Sequence, residues 1–292
     1  MTLLIQTLAS GVAAGAVYAL IAVGFSLIYK TTRIINLAQG DLAILGGYLS
    51  YTYLRVGLPL PVALIAGVLS TGVAAAVIER VALRPLYKRP LAIPILCTVG
   101  IAVLLESTMQ LIWGSLPLFL PPVASTTPWH VEGIAITPLQ VVMFAIATAS
   151  AIGLLLGIGR TRIGRAMRGC AEDAEVTSLF GVNPDRMYLL AFTVGGLLAG
   201  LAGILIVPTI GLLPSSGLNL SVIGFSAAVL GGLGSLPGAI LGGVLISILV
   251  NVTEVYVSSN YAYGVVYLIM AVVLLVRVRG LLGDDLEAVR RI

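Results

Sequence analysis

Apolar residues run through this chain in blocks of roughly twenty, the length at which an α-helix matches the hydrocarbon core of a bilayer, and polar residues gather in the breaks between them. Blocks at residues 4–29, 34–54, 60–78, 93–113, 138–159, 187–207, 218–233, 237–257 and 261–276 predict nine membrane-spanning helices. The seventh is short, and a re-entrant pass there would leave eight. The second is interrupted near its start by Asn36, Gln39, Gly40 and Asp41. Such groups are expensive at membrane depth and face protein or water rather than lipid. Either the cluster lines a permeation path, or Asp41 caps a broken helix by accepting backbone hydrogens. Residues 114–137, with Pro117, Pro121, Pro122, Pro128, Trp129, His130 and Glu132, read as an ordered hairpin or lid outside the membrane.

Residues 160–186 hold nearly all the mid-chain charge. From Gly164, the residues Arg165, Arg168, Glu172 and Glu175 recur at three- and four-residue spacing, with Met167, Ala171, Ala174 and Ser178 on another face. That period predicts one short helix with a charged side and a small, mildly apolar side. Gly181, which can take the left-handed C-terminal conformation, ends it; Asn183-Pro184-Asp185 then supplies an N-cap, a proline at the first helical position and an acid in the first turn. Anchoring to lipid headgroups does not need Glu172, Asp173 and Glu175, so mixed charge here fits a protein contact better.

Composition excludes a soluble globule: 59% of residues are hydrophobic and 10% charged, against about 25% charged in soluble domains, and the mean hydropathy is +1.11. The 34 glycines fit helices that approach backbone to backbone, and the alternation of a membrane β-barrel is missing. An all-α polytopic membrane protein follows, with residues 1–292 as a single transmembrane domain. Of the 16 Lys and Arg, all but Arg55 lie in the breaks at 30–33, 80–89 and 160–186 or in the tail from Arg277. Basic loops stay cytosolic, which sets the N-terminus outside and the C-terminus in the cytosol. Cys97 and Cys170 then share the reducing side. The first block has no positive leader and reads as a span rather than a cleavable signal. Gly24-Phe25-Ser26 followed by Ala43-Ile44-Leu45-Gly46-Gly47 is echoed by Gly224-Phe225-Ser226 and Ala239-Ile240-Leu241-Gly242-Gly243. Order and orientation agree with a parallel internal repeat, although short matches in so biased a composition also arise by chance.

No catalytic constellation, metal-ligand cluster or cofactor motif is evident. His130 is a lone histidine and reads as a surface residue. Residues 24–31, GFSLIYKT, approach a phosphate loop but carry Tyr29 where its second glycine must stand. Any energy must therefore come from an ion gradient or from a partner. Of the other buried-depth acids, Glu106 is expected to hydrogen-bond a neighbouring helix and Glu254 to sit solvated at an interface.

Residues 164–186, GRAMRGCAEDAEVTSLFGVNPDR, followed by Phe192, Gly195, Ala199, Ala202 and Gly203, resemble the cytosolic loop of permease subunits of branched-chain amino acid ABC importers. ALIAVGFSLIYKTTRIINLAQGDLAILGGY near the N-terminus and AAVLGGLGSLPGAILGG from Ala227 resemble the same family, so the likeness covers nearly the whole chain. It implies a permease fold similar to the vitamin B12 importer type. Gly164, Arg165, Arg168, Glu172, Asp173 and Gly181 would belong to a coupling helix that docks on an ATPase subunit. Asn36, Gln39, Gly40 and Asp41 would lie at the irregular inner end of the translocation path; Gln39 stands where family members often have histidine. The implied partners are a second permease, usually a longer sister subunit in a heterodimer, two cytosolic ATP-binding subunits and a periplasmic binding protein in a bacterial or archaeal inner membrane, with no nucleic acid. Relatives with this architecture also move urea or short amides. A gradient-driven secondary transporter is the competing class, and a channel the third.

Overall fold

The computed structural model of the protein describes residues 2–131, 134–276 and 280–282. Helices α1 (Thr2–Thr32), α2 (Gln39–Arg55), α3 (Leu60–Ile78), α4 (Ala92–Trp113), α5 (Pro138–Arg160), α8 (Pro184–Ile210), α9 (Ser216–Gly231), α10 (Leu236–Tyr256) and α11 (Ala262–Val276) follow the nine apolar blocks. The charged stretch forms α6 (Arg162–Glu172) and α7 (Ala174–Leu179). Six helices among the described residues are long and apolar enough to cross a membrane, while α9 and α11 are shorter apolar helices and α2 has 17 residues. The basic tail from Arg277 to Arg279 and beyond Leu282, like Glu132, lies outside the described residues.

The ends obey local chemistry. Thr137 and Gln140 form a reciprocal capping box at the start of α5. Asn183 and Ser235 cap α8 and α10, each followed by proline in the first turn. At the far end of α9, Leu281 N–H and Leu282 N–H donate to the carbonyls of Leu230 and Gly231 at 2.8 and 2.9 Å. Those carbonyls would otherwise be helix-end orphans.

Helices α1 and α8 form the buried centre, whereas α4 and α5 are uncovered along most of their length. Small residues set the spacing, since helices in lipid associate by close packing rather than by hydrophobic drive. Gly203 on α8 lies directly against the carbonyl of Ala43 on α2, and Gly46 on α2 against Gly200 on α8. The echoing segments also meet: the Phe25 and Phe225 rings lie 5.9 Å apart, centroid to centroid.

Two ends of the bundle are distinguished by their contacts. At one, Arg33 Nε donates to Ala171 O at 3.3 Å, and Arg84 forms an ion pair with Asp185, so the three basic loops gather together. At the other, residues 114–137 carry the expected hairpin, β1 (Trp129–Val131) paired antiparallel with β2 (Ile134–Ile136). The Gln6 side chain of α1 acts as an extra backbone unit on β2: Nε2 donates to Ala135 O at 2.6 Å and Oε1 accepts from Ala135 N–H at 2.7 Å. A two-stranded hairpin is marginal by itself. Gln6→Ala is therefore expected to speed amide hydrogen exchange at Ala135 by about tenfold, the equivalent of one net hydrogen bond, with exchange in α8 unchanged.

Candidate functional site

Helix α1 ends where Arg33 takes a positive φ of 61°, and the chain runs irregularly to Ala38 before α2 begins at Gln39. Irregular backbone inside a bundle must find its hydrogen bonds among side chains, and the polar cluster supplies them. Asn36 Nδ2 donates to Gln39 Oε1 at 3.1 Å, Ala38 N–H donates to Asn36 Oδ1 at 3.3 Å, and Gln39 Nε2 donates to Gly195 O of α8 at 2.8 Å. From α9, Ser221 Oγ accepts from Gly40 N–H and donates to Leu37 O, both at 2.8 Å. From α4, Thr98 Oγ1 accepts from Leu37 N–H at 3.2 Å. Gly40 is required here, because any β-carbon would meet Gly217 O and Ser221 N.

The break starts at Arg33, at the end where the basic loops gather, and leads inward to Gln39. Gly195, which receives the Gln39 amide, is eleven residues past the start of α8 at Pro184, roughly 17 Å at 1.5 Å per residue. Gln39 also packs against Gly24, eight residues before α1 ends, or roughly 12 Å. Gln39 thus sits roughly 12–17 Å in from the end that carries the basic loops.

Asn36 and Gln39 are 2% and 0% exposed and use their amides to hold the break. Asp41 differs. It is 2% exposed, its carboxylate lies against Gly217 in the first turn of α9, and its Oδ2 has no hydrogen-bond partner. The N-cap of α2 is Ala38, which makes no side-chain capping bond. Glu106 does not bond a neighbouring helix as expected; its Oε1 accepts from Gln110 Nε2 at 3.3 Å on α4 itself. A helix so little covered offers no nearer donor. Glu254 is exposed, as expected for an interface.

The charged segment is two helices, not the single one that its periodicity predicts. Asp173 leaves helical geometry at φ −154°, ψ 108°, and caps α7, its Oδ1 accepting from Glu175 N–H and Val176 N–H at 2.9 Å each. A cap bonds to its own backbone more strongly than the charge period can hold the helix straight. Glu172 and Glu175 consequently stand on different helices. Helix α6 buries Gly164, Met167 and Cys170, and Arg168 Nη1 donates to Ile158 O, in the last turn of α5, at 3.0 Å. Arg168 thus anchors α6 to α5, while Arg165, Glu172 and Asp173 are exposed. Burial pushes the Cys170 thiol up, which keeps it protonated and unreactive; it and Cys97 are free.

Gly181 has the expected positive φ, 82°, and just before it Leu179 and Phe180 are 85% and 83% exposed. Their exposure is what the sequence reading missed. Two large apolar residues beside a glycine, inside an otherwise polar stretch, were the available signal. Ser221 and Gly217 were missed for another reason, being single small residues in an apolar block.

Residues 7–275 match the family model described as the branched-chain amino acid transport system permease component. The chain is 33% identical to the high-affinity branched-chain amino acid transport system permease protein BraD of Pseudomonas aeruginosa, covering 96% of this chain and 95% of that one. It is 34% identical, with the same coverage, to the permease protein LivH of Escherichia coli K12. A probable LivH of Methanocaldococcus jannaschii is 28% identical over 94% of this chain and 90% of its own. Among solved structures, PsaBC from Streptococcus pneumoniae in complex with Fab superposes with a TM-score of 0.46 at 12% identity, covering 99% of this chain and 94% of that one, a likeness too slight to argue from. With a family model spanning nearly all of its helices and relatives matched end to end, this chain belongs to the permease components of branched-chain amino acid transport systems.

Proposed function

We propose that this chain is the transmembrane permease subunit of an ATP-driven ABC importer, moving branched-chain or similar hydrophobic amino acids across an inner membrane. The observation that carries the reading is the elbow of α6 and α7, which presents Leu179 and Phe180 to solvent next to the exposed charges of Arg165, Glu172 and Asp173. Large apolar residues ringed by polar ones mark a protein contact, and here the partner is a cytosolic ATPase subunit. Residues 160–186 are the coupling loop, with Gly164 and Arg168 fixing α6 to α5 and Asp173 and Gly181 setting the elbow. The basic loops gathered at this end favour a cytosolic side there, an outside N-terminus and a periplasmic hairpin at 114–137. A second permease is favoured by α4, whose uncovered length includes exposed Ser107 and Gln110 beside the half-buried Glu106, groups that do not face lipid cheaply. Asn36, Gln39 and Gly40 shape the path, and Asp41 faces it.

The test is co-expression with the ATPase, sister permease and binding-protein subunits, then uptake in proteoliposomes. Leucine accumulation that requires internal ATP and survives dissipation of ion gradients is expected. Accumulation that collapses with an ionophore, without any ATPase bound, would make the chain a secondary transporter instead.

A further inference from the structure

We propose that Arg84 and Tyr87, clasped on Asp185 and Tyr188, form a second coupling joint that carries movement of the ATPase-docking elbow along one face of α8 to the break at Gln39. This rests on the reading of the chain as an ATP-driven importer and names the side chains that would pass force inward from its docking element. Just past α3 the backbone leaves regular α-helical geometry. Pro85 has no N–H to donate, and its ring crowds the carbonyl four residues back, at Val81. The backbone takes a wide, π-type turn at Glu79–Leu83, closed by Arg84 N–H donating to Glu79 O, and then a tighter turn at Arg84–Leu86. Wide turns of this kind are rare and recur at functional sites. The tighter turn eclipses side chains three residues apart, which puts Arg84 and Tyr87 on one side. At the start of α8, Asp185 and Tyr188 are also three apart and share a face. The two pairs meet: Arg84 forms an ion pair with Asp185, and the Tyr87 and Tyr188 rings pack edge to face with centroids 4.7 Å apart.

The clasp has an input and an output. Gly181, which ends the elbow, and Asn183, which caps α8, lie within four residues of Asp185, so a rotation of the elbow pulls on Asp185 directly. Tyr87 is the strut on the other side. Its hydroxyl donates to Glu79 Oε1 at 2.8 Å, and Glu79, the first residue of the wide turn, is 1% exposed; a carboxylate so buried needs a donor. Inward from the clasp, Asp185, Tyr188, Phe192 and Gly195 recur at three- and four-residue spacing on one face of α8. Phe192 is buried with Leu83 of the wide turn and Ile28 of α1, Gly195 packs against Ile28, and the Gly195 carbonyl holds the Gln39 amide at 2.8 Å. The route from elbow to break is thus a contiguous series of contacts, as mechanical coupling requires. With side chains 35% and 44% exposed, the Arg84–Asp185 pair adds little to stability, which suits a contact that must re-form at each stroke.

The ATP hydrolysed per leucine taken up, measured on the complete transporter in proteoliposomes, tests this. Arg84→Gln and Asp185→Asn are each expected to raise that ratio by about fivefold, within the range over which residues along a coupling route act, with the ATPase subunits still co-purifying. The double variant should be no worse than either single one, because both remove the same contact. Arg84→Lys, which keeps the charge, should stay within about twofold of wild type. A pair that only held the fold together would lower hydrolysis and uptake in step and leave the ratio alone. A ratio within about twofold of wild type in both neutral variants, single effects that multiply in the double variant, or loss of the ATPase subunits overturns the joint while leaving the importer reading intact. Absence of ATP-dependent leucine uptake by wild type overturns the importer reading and the joint with it.

Discussion

Gly203→Val is expected to abolish a stable permease. A β-carbon at this position would fall on the carbonyl of Ala43, so the clash is backbone against backbone and no rotamer change relieves it. Helices α2 and α8 must separate, and with them go the Gly46–Gly200 contact and the Gln39–Gly195 hydrogen bond. Overpacking usually destabilises by about 1–3 kcal/mol, and here the strain falls between two central helices, so a loss at or above about 3 kcal/mol is expected. Size-exclusion profiles and thermal melting in detergent check it. Gly153→Ala, at a site with nothing within 4 Å of the added carbon, is the control and should melt like wild type. A monodisperse, wild-type-like Gly203→Val protein would mean that α2 and α8 do not pack as described.

The second large effect concerns function. The pair Leu179→Asp and Phe180→Asp is expected to leave the permease folded, since both side chains are more than four-fifths exposed, yet to release the ATPase subunits and remove ATP-dependent uptake. Buried apolar anchors at interfaces each account for about 2 kcal/mol or more, and charge placed in their pocket adds a desolvation penalty. Co-purification and uptake together decide it. If the doubly substituted permease retained its ATPase partners, the elbow of α6 and α7 would not be the docking element. The break at Asp173 also changes how force would travel. A single helix would act as a rigid lever, whereas on the proposed function two short helices joined at a cap would transmit it through the Arg168–Ile158 hydrogen bond that ties α6 to α5.

Much of the architecture was readable from periodicity alone. The third block, 60–78, coincides with α3, and the fourth, fifth and eighth differ from α4, α5 and α10 by a residue or so, because in a bilayer the limits of a helix are fixed by where apolar residues stop. Caps were equally readable: Asn183 accepts from Arg186 N–H, three residues on, Gly181 N–H donates to Ser178 O, three residues back, and Pro184 stands at the first helical position. The division at Asp173 is a local event too, but there two local signals compete, and the Asp173 cap prevails over the charge spacing.

The site is different. That Asn36, Gln39, Gly40 and Asp41 are polar residues in an apolar block was plain in the sequence, and so was the cost of placing them there. Which of them is satisfied, and which keeps a free oxygen, was decided by Gly195, Gly217 and Ser221, contributed by α8 and α9 from 156 to 181 positions away. The same holds for depth, since a residue's place along a bundle depends on which helices it lies beside. Sequence determines where each helix begins and ends because those choices are made by neighbours in the chain; only tertiary structure decides which buried polar group is left unpaired, because its partners come from other helices.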